Sequence, residues 1–111
     1  MREIRDPIPP GTLDMLILKT LVRSGCLHGF EIAEAIRQSS DDIFLVEEGS
    51  LYPALQRLLM KASITGEWGK TSENRRARYY RITAAGRRQL QGEMEAYRRV
   101  ARAIEGVLFS T

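Results

Sequence analysis

Three short apolar stripes at helical spacing, all before residue 60, followed by two strand-like runs between Ile64 and Thr83, leave this chain few ways to fold. In the first stripe Leu13, Leu16, Ile17, Thr20 and Leu21 share one face, with Thr12 placed to cap it. The second, over residues 30–38, is entered by a short turn through Cys26-Leu27-His28-Gly29, carries Ile32, Ala33 and Ile36 and stops at Ser39-Ser40-Asp41-Asp42. The third carries Leu51, Ala54, Leu55, Leu58 and Leu59, with Ser50 as the expected N-cap and Pro53 in the first turn, where its missing N–H is harmless. Residues 43–46 are apolar but too few for a helix, and are expected to lie extended across the core. Residues 64–68 and 77–83 around a polar segment predict a hairpin with a long, flexible tip.

With 111 residues, 43% of them hydrophobic and 28% charged, the chain has material for one core and not for two. Residues 1–11 hold Pro7, Pro9, Pro10 and Gly11 and read as an extended arm; residues 12–83 supply the helices and hairpin. Residues 84–111 read as one final helix, capped by Thr83, in which Leu90, Met94, Tyr97, Ala101, Ile104 and Leu108 keep heptad spacing. No later segment exists in this sequence to cover that stripe, so the same helix of a second copy is its simplest partner and a homodimer is expected. Nothing approaches the run of about 20 apolar residues that spans a bilayer, and the first residues lack the apolar segment of a secretion signal, so no membrane partner and a cytoplasmic location are expected. The single cysteine, Cys26, excludes an internal disulfide, and with one histidine, His28, a structural zinc site lacks ligands. No metal or cofactor is expected.

The charge is lopsided. Residues 1–62 hold 7 Lys+Arg against 9 Asp+Glu, whereas residues 63–111 hold 10 against 5, all but Lys70 of the ten being arginine. Guanidinium forks match phosphate oxygens in pairs, which favours a phosphate-bearing partner for that half. Helix, helix, helix and hairpin is the order of a winged helix-turn-helix, a mainly α (α+β) fold whose third helix enters a DNA groove while its wing touches the flanking backbone. The DNA-facing candidates are then Ser50, Tyr52, Pro53, Gln56 and Arg57 on the third helix and Lys70, Asn74, Arg75 and Arg76 at the hairpin tip. Each has a plainer role open to it: Ser50 as a cap, Tyr52 packed on the hairpin, the arginines as a solvated loop. Trp68, Tyr79 and Tyr80 fit strand packing better than base stacking, and Cys26 a small buried apolar group. A protein-interaction module without sequence-specific DNA binding is the alternative. Catalysis has no support, since no nucleophile and base, paired carboxylates or phosphate loop stand together.

The motifs His28-Gly29-Phe30-Glu31-Ile32, Glu48-Gly49-Ser50-Leu51-Tyr52-Pro53-Ala54-Leu55-Gln56-Arg57-Leu58, Glu67-Trp68-Gly69 and Asn74 through Arg87 resemble the PadR family of bacterial transcriptional regulators, over roughly residues 8–108. The short C-terminus is similar to the small subgroup with a single dimerising helix, and the opening to the acidobacterial type. The resemblance implies a homodimeric repressor on a two-fold operator, controlling its own gene and neighbouring stress, detoxification or efflux genes. It also implies a small-molecule effector, phenolic or lipophilic, in some members. Its DNA-approaching residues map onto Ser50, Tyr52, Pro53, Lys70, Arg75 and Arg76. The chain departs from the family at Phe30, where a tyrosine is usual, at Leu59, where a charge is common, and at Ala62, where a glycine usually ends the third helix. It also lacks a tryptophan on the last helix, which leaves Tyr97 as the aromatic in mid-helix.

Overall fold

A computed structural model describes residues 5–111; the first four residues of the expected N-terminal arm lie outside the described residues. The elements run α1 (Leu13–Ser24), β1 (Cys26–His28), α2 (Gly29–Ser39), α3 (Glu48–Met60), β2 (Ile64–Lys70), β3 (Arg76–Ile82) and α4 (Ala84–Leu108). The sheet is antiparallel with order β1-β3-β2. This is the winged-helix arrangement, with α2 and α3 as the helix-turn-helix and β2–β3 as the wing. Among the described residues no helix is long and apolar enough to cross a membrane.

One core holds the elements together. Ile17, Leu18 and Leu21 of α1 meet Ile32 and Ile36 of α2, Leu51, Ala54, Leu55 and Leu58 of α3, Ile64 of β2 and Tyr80 of β3. The arm is docked: the Asp6 N–H donates to the Ile43 carbonyl at 3.0 Å, and Ile8 packs against the core. Thr12 stands at the α1 N-cap, but its hydroxyl donates to the Pro9 carbonyl at 2.7 Å instead of accepting from the helix. Residues 43–46 are irregular: Val46 is buried, Phe44 leans on the core and Leu45 stands exposed.

Three local expectations are corrected. Helix α3 begins two residues before Ser50, because the Glu47 carbonyl already accepts from the N–H groups of Ser50 and Leu51, at 3.0 and 2.9 Å. Ser50 is therefore not the cap. Pro53 consequently sits inside the helix and denies the Gly49 carbonyl its helical donor, a loss tolerated because Gly49 is exposed to water. The hairpin tip is shorter than expected. Strands reach Lys70 and Arg76, and the turn is built on Thr71, whose Oγ1 accepts from the N–H groups of Glu73 and Arg75 while its N–H donates to the Arg75 carbonyl. Last, the segment expected as a plain turn at Cys26 to His28 is a strand on the free edge of β3.

The end of α3 uses a Schellman motif: the Ala62 N–H donates to Leu59 and the Ser63 N–H to Leu58, at 3.0 and 2.9 Å. Ala62 accordingly takes φ 58°, where a Cβ is strained. Thr83 caps α4 as expected, its Oγ1 accepting from the Gly86 N–H at 3.0 Å. The stripe on α4 is not wholly free. Leu90 is buried in the chain's own core and Met94 packs against that core, so the face left open begins at Tyr97.

Candidate nucleic-acid interface

Strand alternation places Gly66, Trp68 and Lys70 of β2 on one face with Tyr80, Arg78 and Arg76 of β3 across from them. That face looks toward the starts of α2 and α3. Between them lies an open groove of about 940 Å³, whose walls include Phe30, Tyr52, Trp68, Arg75, Arg76 and Arg78. Its polarity is cationic at the wing. Its aromatic surfaces are unusually open: Phe30, Tyr52 and Trp68 are all at least half exposed.

The α2 side of the groove is set by His28. Its Nδ1 accepts from the Glu31 N–H at 3.4 Å, and the Glu31 carboxylate accepts from the His28 N–H at 3.0 Å, a reciprocal cap that fixes the first turn. The His28 ring also meets Tyr79 edge-on at 5.3 Å, which ties the start of α2 to the wing. Tyr52 reaches across to the start of α2, its hydroxyl lying 3.2 Å from where a Cβ on Gly29 would stand. On the wing, the Arg76 guanidinium lies 4.4 Å above the Trp68 ring. Tyr80 forms the floor, and burial pushes its phenol up from the ordinary value, opposed by Arg78 and reinforced by Tyr52.

Of the residues expected to face DNA, Tyr52, Arg75 and Arg76 line this groove. Ser50, Pro53, Gln56 and Arg57 are exposed on the outer side of α3, and Lys70 and Asn74 on the hairpin. Arg57 is held by Asp14 of α1 at 2.9 Å, a pairing across 43 positions of chain. Asn74 takes φ 64° in the tip, a conformation asparagine tolerates. Sequence reasoning passed over Trp68, Arg78 and Phe30 as groove residues. Trp68, expected in strand packing, is 60% exposed. The two-residue period of β2 and β3 carries the signal that would have found Trp68 and Arg78, once the register is known.

Residues 17–92 match the Transcriptional regulator PadR-like family. An uncharacterized protein of Lysinibacillus sphaericus is 30% identical over 102 residues, covering 92% of this chain and 93% of its own. Among solved structures, a transcriptional regulator from Clostridium thermocellum superposes with a TM-score of 0.79 at 30% identity, covering 91% of this chain and 95% of its own. A PadR family transcription regulator from Clostridium difficile gives 0.74 at 28% identity, over 88% and 99%. A PadR-like regulator from Bacillus cereus gives 0.75 at 26%, over 91% and 95%. A cationic, aromatic groove beside an exposed third helix, on a winged-helix frame shared with these proteins, places this chain in the PadR-like family of transcriptional regulators, which are not enzymes.

Proposed function

We propose that the protein is a homodimeric, sequence-specific DNA-binding repressor, acting in the cytoplasm on its own gene and on neighbouring stress, detoxification or efflux genes. The observation that carries this reading is the groove in which Arg75 and Arg76 stand beside Tyr52, adjoining the exposed α3 face with Ser50, Pro53, Gln56 and Arg57. In this reading α3 enters the major groove, Gln56 and Arg57 meet base edges, and Lys70, Asn74, Arg75 and Arg76 meet backbone phosphates. The first N–H groups of α3 support a phosphate contact, since Glu47 offers them no side-chain cap.

Dimerisation is supported by the outer part of α4, where Tyr97, Val100, Ile104, Val107 and Leu108 are all more than half exposed. Ala101 lies in the same stripe, half-buried. A phenolic or lipophilic effector would fit the groove of about 530 Å³ between α1 and α4, lined by Met15, Leu16, Met94, Tyr97 and Ala101.

The test is a shift assay with a duplex carrying the protein's own upstream region at moderate salt. Specific binding resists an equal mass of unrelated competitor; equal competition favours the interaction-module reading instead. Adding phenols and lipophilic drugs to the same assay tests the effector: operator affinity unchanged across a broad screen removes it.

A further inference from the structure

Trp68 is the chain's single tryptophan, and it stands largely in water. Two cations share its ring: the Arg76 guanidinium at 4.4 Å and that of Arg78 at 5.9 Å, both inside cation–π range. Arg78 faces Trp68 directly across the strands, and its side chain runs over Gly66, where a Cβ would come within 2.6 Å of Nε. Glycine at 66 therefore leaves the track that the arginine occupies. The Arg78 Nε so enclosed has no hydrogen-bond partner among the described residues. Enclosure of Nε fixes the inner end of the guanidinium and leaves its outer nitrogens as the donors open to an external oxyanion. Arg75 and Arg76 line the groove alongside, while its acids are Glu31, taken up in the cap with His28, and Glu73 at the tip.

The geometry points to a phosphate seat on this face of the wing, in which Trp68 is a shelf and Gly66 a track that hold Arg76 and Arg78 in place before DNA arrives. The inference rests on the DNA-binding reading and specifies its anion as a phosphodiester of the duplex backbone. Trp68 is a positioning residue: it touches no phosphate but fixes two long side chains whose freedom would otherwise be lost on binding. Arg78 joins the contact set through its outer guanidinium nitrogens.

The experiment titrates the full chain with a short random-sequence duplex over a range of salt, comparing wild type with Trp68→Leu, Trp68→Phe, Arg76→Ala and the Trp68→Leu/Arg76→Ala double variant. Trp68→Leu is expected to bind about twofold to fivefold more weakly for each bound subunit, the factor an exposed cation–π contact is worth, with an unchanged salt slope because no cation is lost. Arg76→Ala lowers the slope by about 0.9 for each bound subunit, one phosphate's share. The Trp68→Leu loss shrinks in the Arg76→Ala background, and Trp68→Phe recovers most of the binding. Gly66→Ala reaches the seat from the Arg78 side and weakens binding while the melting temperature holds. Emission from Trp68 changes as duplex is added to wild type. Wild-type binding by Trp68→Leu, full additivity with Arg76→Ala, or emission indifferent to duplex overturns the shelf. If wild type and every variant alike bind no duplex at low salt, the DNA-binding reading itself falls, and the seat with it.

Discussion

Gly86 occupies a place that no larger residue can take: a Cβ there would stand 2.1 Å from the Ser63 carbonyl oxygen and 2.8 Å from Ile82. The close approach lets the first turn of α4 nest on the α3–β2 corner. Gly86→Ala is expected to destabilise by about 2–3 kcal/mol, the upper part of the overpacking range, and to lower Tm by ~10 °C or more in a thermal melt. Tyr80 sets a different limit. Because burial raises its pKa, the folded chain keeps the phenolic proton after the unfolded chain has lost it. Its contribution to stability is complete below the ordinary phenol value of about 10 and falls as pH rises through the raised folded value. Tyr80→Phe should flatten the alkaline limb of a Tm-against-pH curve; an unaltered limb would assign it to other groups. The His28–Glu31 cap and the Arg57–Asp14 pair show how much a sequence reading can and cannot catch at this scale. The first spans three positions and belongs to a recognisable local pattern. The second joins residues brought together only by packing α3 on α1.

At the scale of elements, the helices with clear apolar stripes lie close to where their spacing puts them, while their ends move. Helix α3 starts early because acidic Glu48 suits the N-terminal end of a helix dipole and the Glu47 carbonyl can begin the ladder. Its other end carries strain at Ala62. Ala62→Gly removes the left-handed penalty of about 1–2 kcal/mol and returns part of it as unfolded-state entropy, for a net gain of about 0.5–1 kcal/mol. Calorimetry should show Tm rising by about 4 °C; a fall would mean the Cβ makes a compensating contact. At the end of α2, Arg37 binds both Glu34 and Asp42, and the Arg37 guanidinium holds the Glu34 carboxyl below the usual carboxylate range. The bridge to Asp42 spans a turn in which Asp41 and Asp42 both take positive φ, 53° and 66°. Strand β1 shows the opposite case to the helices. Cys26–His28 has no strand pattern of its own and becomes one because the edge of β3 needs a partner for its N–H and C=O groups.

At the scale of the molecule, α4 is the element that holds two DNA-reading surfaces together in the dimer we propose. Twenty-five residues of helix reach about 37 Å, comparable with the separation of about 34 Å between half-sites one duplex turn apart. Ile104→Asp, at an exposed point of the stripe, should leave the fold intact, convert a dimer to a monomer in sedimentation, and reduce operator affinity much more than it alters the thermal melt. A variant that stays dimeric would move the interface elsewhere. Arg75→Ala and Arg76→Ala should weaken every duplex alike and flatten the salt dependence, whereas Gln56→Ala should change which sequence is preferred; equal titrations for all three would remove these assignments. By itself the sequence determined the helical stripes, the wing strands, the Thr83 cap and the crowding of arginine into the later half, because periodicity, capping and charge act over a few neighbouring residues. Only tertiary structure decided that Leu90 is spent inside the chain's own core, that Cys26–His28 becomes a strand, and that Trp68 gathers Arg76 and Arg78 on one face of the wing. Those outcomes depend on which distant surfaces meet and in what register, and no local spacing specifies that.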